Sequence, residues 1–348
     1  MTMKKSIKDL SLDITEAQYR QRSALSYSTL SRFSREGWRK LSSLFDRIDS
    51  PSLSFGSAVD TKLTEPENFD NIYVVCEFPP ISDTLISITK SLHNLYKDRF
   101  STISEIPDEV ISDIALSHEY YVNDKYAKHR VKSVKESCEE YYTLLTLSAG
   151  KTILSQSDYN DVMSCYNELK TNYVTKSFFD VDPWSNEIEK VFQLKFEAEY
   201  NGIAVRCMFD EIIVDHKTKT IYPIDLKTTG FPEEEFDGSF LKWRYDIQAK
   251  LYTYILQEVI NKDEYFKDFR ITGYTFIVIN RRTLSPLVWI FDLNKCEKDL
   301  IADDGTVYKD WRSILTELKY YLDNPGIKYT KEATLSNRIL KLNNLKSV

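Results

Sequence analysis

Asp210, Asp225 and Lys227 are the residues whose types and spacing suggest chemistry. They fall within FQLKFEAEYNGIAVRCMFDEIIVDHKTKTIYPIDLK, which runs from Phe192 to Lys227. Two carboxylates can share a hard divalent cation such as Mg²⁺ or Mn²⁺ and leave room for water and phosphate oxygens. The i, i+2 spacing of Asp225 and Lys227 keeps both side chains on one strand face. A lysine so placed stays charged beside the carboxylates and can stabilise negative charge on a phosphate. Phosphodiester hydrolysis is the chemistry this set suits, and a nuclease centre is the expectation.

Positioning these groups requires strands. Phe192, Leu194, Phe196 and Ala198 alternate with Gln193, Lys195, Glu197 and Glu199, a period of two. Asn201-Gly202 is a favoured hairpin turn, because both residues tolerate positive φ. Ile203, Val205, Cys207 and Phe209 continue the pattern in a second strand, with Asp210 expected at its end. A turn at Asp215-His216-Lys217 leads to a third strand that ends in Asp225-Leu226-Lys227. Glu197 and Glu199 are candidates for an outer carboxylate. A long helix is then expected from about Ser239 to Asn261. Gln248 and Tyr252 stand four apart on it, with Tyr245 at i−3, so all three share a face. That face suits hydrogen bonding to a DNA backbone or positioning of Lys227, and equally a mildly polar face packed over a sheet.

Upstream, a helix capped by Ser26 carries Leu30 and Phe33 and stops at Gly37. A second, capped by Ser54, carries Phe55, Val59 and Leu63 and stops before Pro66. Asp60 lies on it and, by spacing alone, reads as an exposed helical carboxylate. A strand is expected from Asn71 to Phe78. Helical periodicity dominates 81–180, with Pro107 opening one helix, Gly150 following another and Ser157 capping a third. Its tyrosines (Tyr120, Tyr121, Tyr126, Tyr141, Tyr142, Tyr159, Tyr166, Tyr173) can serve as core or as base-stacking groups. Strands at Arg270–Asn280 and Leu284–Phe291 follow. Helices at about Asn294–Ile301 and Thr306–Leu322 and a polar tail end the chain. The layout expected is one domain over 1–348, with an α/β core from 26–80 and 181–295, a helical insertion at 81–180 and C-terminal helices and tail at 296–348.

Composition sets limits. A net charge of −7 argues against binding nucleic acid through global charge. It leaves room for a local basic groove from Lys242, Arg244, Arg281 and Arg282, and from Lys125, Lys128, Arg130, Lys132 and Lys135. The five cysteines are scattered, which offers no zinc or iron–sulfur motif and suits reduced thiols in the cytoplasm. No signal peptide or membrane span is visible, so no membrane partner is expected.

The order Asp210, then Asp225-Leu226-Lys227, then Gln248-x-x-x-Tyr252 resembles the PD-(D/E)XK nucleases of the RecB-like branch. FGSAVDTKLTEPENFD resembles the exodeoxyribonuclease VIII (RecE-type) segment Gly-x-Ala-x-His, then Glu-Pro and Phe, through Gly56, Ala58, Glu65, Pro66 and Phe69. LSYSTLSRF resembles the opening Ser-x-Ser-x-Leu helix of RecB-like domains. The resemblance implies an α/β fold, a mixed sheet flanked by helices with a restriction-endonuclease-like core. It also implies dependence on Mg²⁺ or Mn²⁺, with Asp60, Asp210 and Asp225 as metal ligands. Asp210, Asp225 and Lys227 would be catalytic, and Gln248, Tyr252 and Tyr245 would position DNA. For the RecE-type group it further implies an exonuclease trimming linear double-stranded DNA in recombination or replication, ring-like homo-oligomers and a single-strand annealing protein as partner.

Asp60 stands where the family commonly carries a metal-binding His, and Phe209 where its namesake proline would be. The reading includes a phage-encoded enzyme in the host cytoplasm. Two alternatives stand beside it: a structure-selective endonuclease or end-trimmer working with a helicase, and an inactive nuclease-fold module that binds DNA without cutting.

Overall fold

Two long antiparallel strands form the spine, and their pairing breaks its own rhythm once. A computed structural model describes residues 4–46, 50–180, 187–293, 298–302 and 304–326. The chain begins with α1 (Glu16–Gln21), β1 (Leu25–Ser26), α2 (Tyr27–Glu36), α3 (Pro51–Thr64), α4 (Phe69–Ile72) and β2 (Tyr73–Val75). It continues through α5 (Asp83–Tyr96), α6 (Asp108–Ser117), α7 (Ala127–Leu147), β3 (Thr152–Leu154), α8 (Gln156–Thr171) and α9 (Lys176–Phe179). The spine is β4 (Ile188–Tyr200) and β5 (Ile203–Asp215), followed by β6 (Thr220–Thr229). Then come α10 (Phe236–Trp243), α11 (Tyr245–Ile260), β7 (Arg270–Ile271), β8 (Tyr274–Asn280) and β9 (Leu287–Phe291). Last are β10 (Leu300–Ile301), β11 (Val307–Tyr308) and α12 (Trp311–Asp323).

The architecture is mixed α/β. The main sheet has the order β1-β5-β6-β8-β9, with β4 pairing β5 and β7 pairing β6. β4, β5 and β6 form an antiparallel meander, while β6 and β8 are parallel through the crossover that carries α10 and α11. Helices cover both faces. On one, Leu194, Phe196, Phe209 and Ile212 pack with Ile247, Leu251, Ile255, Leu315 and Phe33. On the other, Ile224, Ile277 and Ile279 pack with Phe55, Val59, Val162 and Leu169. Truncating a residue such as the fully buried Phe209 to Ala would cost about 3–5 kcal/mol.

The segment 81–180 divides. α5, α6 and α7 build their own core from Leu85, Ile88, Leu92, Ile111, Val134 and Tyr142. β3 instead pairs in parallel with β2, and Val162, Cys165 and Leu169 of α8 join the core beneath α3. Arg130 is buried and donates to Ser112 and the Tyr121 carbonyl, so it is no surface cation. Tyr141 and Tyr142 are core as well.

Several local expectations shift. Ser50, not Ser54, caps α3, accepting the Leu53 N–H, because Pro51 at the first helical turn starts the helix earlier. Ser155, not Ser157, caps α8. The expected strand at Asn71–Phe78 contracts to β2, and Arg270–Asn280 divides at Gly273, whose φ is +59°. The expected helix at Asn294–Ile301 falls partly on residues outside those described, and its described end forms β10, paired with β11. Cys296 and the tail from 327 also lie outside the described residues. Cys76, Cys138, Cys165 and Cys207 are free thiols. Among the described residues no helix is long and apolar enough to cross a membrane.

Candidate active site

The site lies where β5 and β6 part. Their ladder runs from Asp215↔Thr220 to Glu211↔Ile224 and stops there. The next pair across would be Asp210 and Asp225. Asp210 is thus in mid-strand on β5 rather than at its end, since β5 continues five residues to Asp215 along β4. Its carboxylate does the work of a ladder bond: Oδ2 accepts the Leu226 N–H at 2.8 Å.

The side-chain alternation slips at the same level. Phe209 and Ile212 enter one core although three apart, which a period of two forbids. Across the ladder, Val191 and Leu194 do the same. Gln193 lies between them with φ +55°, a left-handed conformation that costs a non-glycine residue about 1–2 kcal/mol. Its amide explains what the distortion achieves. Nε2 donates to Asp60 Oδ2 at 2.9 Å and to Thr64 Oγ1 at 3.1 Å, tying α3 to the spine. Gln193 was not a sequence candidate. It stands in the polar phase of an alternating strand, and nothing local signals its backbone.

Asp60 reaches this point because α3 crosses β6 closely. A Cβ on Gly56 would meet Thr228 Oγ1 at 2.9 Å, so the helix can approach only with glycine there. One turn later Asp60 faces the sheet rather than solvent. Its Oδ1 is buried and has no hydrogen-bond partner among the described residues.

From the other face, α11 delivers Gln248, whose Nε2 donates to Asp225 Oδ1. Asp225 is only 2% exposed, and Lys227 Nζ forms an ion pair with it. The Lys227 ammonium also lies 4.9 Å from the centroid of the Tyr245 ring, a cation–π contact. Tyr252, 8% exposed, sits deeper, with its ring 5.3 Å from Phe209 and 6.4 Å from Tyr274. Its place is the wall behind the carboxylates.

α10 and α11 were expected as one helix. They are separated at Arg244, which is left-handed at φ 59°, ψ 44°. Arg244 is buried, paired with Asp246 at 2.9 Å and bonded to the Lys309 carbonyl at 2.6 Å. It therefore leaves the expected basic groove and serves as an internal clamp. Arg281 is engaged by Asp158 at 2.9 Å and lies over Phe55. Glu197 pairs with Arg22, away from an outer-shell role.

Electrostatics mark the cluster. Burial raises the Asp60 carboxyl to about 7, the Gln193 amide opposes this, and the charge of Asp225 adds to the rise. Asp210 is pushed well above the usual carboxylate range by burial and by the charges of Asp225 and Asp60, against the opposing pull of Lys227 and the Leu226 N–H. Burial lowers Lys227, but Asp225, Tyr245 and Asp210 more than reverse this and hold it charged. These three carboxylates feel one another and have one lysine among them.

Among the described residues no three His, Cys, Asp or Glu side chains are gathered so that they could hold a metal ion as they stand. The donor chemistry nevertheless fits a hard divalent cation: oxygen-only ligands, mutual repulsion, and a bare buried oxygen on Asp60.

No family model matches the chain, and no curated protein matches it. Solved structures similar to it include the following two. One, from Eubacterium rectale and described as a candidate exonuclease, is 13% identical with a TM-score of 0.42 and 95% of each chain covered. The other, protein VC1899 from Vibrio cholerae, is 10% identical with a TM-score of 0.16, covering 89% of this chain and 57% of that one.

Proposed function

We propose that this chain is a divalent-metal-dependent deoxyribonuclease of the PD-(D/E)XK type, an exonuclease trimming linear double-stranded DNA. The observation that carries the reading is the opening of the β5–β6 ladder at Asp210 and Asp225, beside the Lys227 ion pair, with the Asp60 carboxyl near enough on α3 to feel the Asp225 charge. Asp60, Asp210 and Asp225 would hold Mg²⁺ or Mn²⁺. When bound, such an ion lowers the pKa of water and neutralises charge on the scissile phosphate.

The protein's own groups do the rest. Lys227, held charged by its carboxylate neighbours, offers a donor to a non-bridging phosphate oxygen as negative charge builds there. Gln248 fixes the rotamer of Asp225 through Oδ1. Gln193 leaves only Oδ1 of Asp60 open, so that carboxylate presents a single oxygen. Tyr245 screens one side of the Lys227 ammonium from bulk water.

Incubation of the purified protein with linear and closed circular duplex DNA in Mg²⁺ or Mn²⁺ tests this. Loss of linear DNA with circles spared supports the exonuclease. Cutting of circles makes it an endonuclease, and intact DNA of every form overturns the nuclease reading. The rival reading, a module that binds without cutting, is favoured by one observation: Asp60 and Asp225 are already engaged by glutamine amides. Partners of the exonuclease reading are DNA, a single-strand annealing protein or helicase, and further copies of the chain.

A further inference from the structure

Trp243 ends α10 with its side chain 39% exposed. Two cations sit on its ring: the Arg35 guanidinium carbon at 4.8 Å from the centroid and Lys242 Nζ at 5.1 Å. Both are exposed, and neither forms a salt bridge among the described residues. An exposed cation–π contact is weak, about 0.5–1 kcal/mol, so either cation can turn to a phosphate at little cost. The backbone here is fixed. The Trp243 carbonyl accepts from Tyr27 Oη at 2.8 Å and from Ser31 Oγ at 2.7 Å, both on α2. The left-handed Arg244 then turns the chain into α11, so the helix break itself holds the indole out of the core. Two residues on, Tyr245 lies against Lys227, and the Arg35 charge reaches both Tyr245 and Tyr27. The cluster thus adjoins the proposed centre and matches a polyanion in charge.

We propose that Trp243, with Arg35 and Lys242, is a stacking platform for a frayed, single-stranded DNA end entering the Lys227 site. A base lies on the indole, and the two cations take the flanking phosphates. The proposal rests on the nuclease reading above but is tested by binding alone.

The test is fluorescence anisotropy of an end-labelled single-stranded DNA 12-mer with the full chain in EDTA, across a salt series. Trp243→Ala should weaken binding about tenfold, as loss of one stacked base does, and Trp243→Phe should retain most of the affinity. Arg35→Gln and Lys242→Gln should each flatten the log K against log salt slope by about 0.7. Unchanged thermal midpoints establish that each variant is folded. Binding by Trp243→Ala within about twofold of the parent would overturn the platform, as would salt slopes unaltered in both cation variants. If metal-dependent cleavage persists in that case, the nuclease reading stands without the platform. If the binding losses appear but no DNA is ever cut, the platform stands and the nuclease reading falls.

Discussion

β5 and β6 have two ends, and they are built on opposite terms. At the turn end the side chains of Asp215, His216 and Glu189 are all answered. Asp215 Oδ1 accepts the Lys217 and Thr218 N–H groups at 2.9 and 3.0 Å. His216 bonds Glu189 and Tyr265 at 3.0 Å each, and Glu189 in turn takes the Ser6 hydroxyl. At the other end the strands part, the carboxyls of Asp60, Asp210 and Glu211 are pushed toward protonation, Gln193 is left-handed, and an oxygen of Asp60 is buried and bare. The same pair of strands therefore carries a satisfied structural knot and a frustrated site. Native interiors leave few buried polar atoms unpaired, so the contrast agrees with placing the proposed site at the parted end.

Breaking each end should give opposite signatures. The largest effect is expected at the site. Lys227→Ala should lower cleavage by about a thousandfold or more, in line with loss of a transition-state donor, with the chain still folded at the assay temperature although its melt falls through loss of the buried Asp225 pair. A gel-based assay on linear duplex and a thermal melt check both parts. At the turn end, His216→Ala should remove about 1–2 kcal/mol of stability by opening the Glu189 and Tyr265 bonds. Cleavage at a temperature well below the melt should be unaffected. Equal damage to activity from both variants would erase the contrast.

A smaller test probes the backbone. Gln193→Gly should be more stable than Gln193→Ala by about 1 kcal/mol, because only glycine accepts positive φ without strain. At an ordinary strand position the order would reverse. Urea denaturation of the two variants decides it.

The smallest effect is in pH. Asp60 titrates near 7 in the folded chain, above its value when unfolded. The native state therefore binds more protons between those values, and stability without metal should fall as pH rises from about 4 to about 7. Asp60→Asn should flatten part of that fall. If midpoints against pH superimpose for the two proteins, Asp60 is not held in the surroundings described.

Much of this was legible in the sequence. The alternation from Phe192 to Phe209, the Asn201-Gly202 turn and the Asp225–Lys227 spacing gave the meander, because period two and turn chemistry are local properties. Gln248 could be placed by helical spacing, and its bond to Asp225 agrees with that face. By spacing alone Asp60 reads as a solvated helical residue, and only the resemblance marks it as a metal ligand; Gly56 lets α3 down onto β6. What stayed hidden was tertiary in origin. The slip at Gln193 and Asp210 follows from two cores claiming neighbouring residues. The break at Arg244 follows from a buried arginine finding Asp246 and the Lys309 carbonyl. Neither residue type announces a left-handed backbone, so propensity alone continues the strand in one case and the helix in the other.

The central claim is that Asp60, Asp210 and Asp225 converge on one catalytic ion beside Lys227. Anomalous diffraction from a crystal soaked in Mn²⁺ tests it most directly. The account predicts one ion with carboxylate oxygens of Asp210 and Asp225 at about 2.0–2.6 Å and Asp60 Oδ1 turned toward it, directly or through a water. An active protein whose Mn²⁺ binds elsewhere, with Asp210 still capping the Leu226 N–H and Asp60 still held away by Gln193, would contradict it.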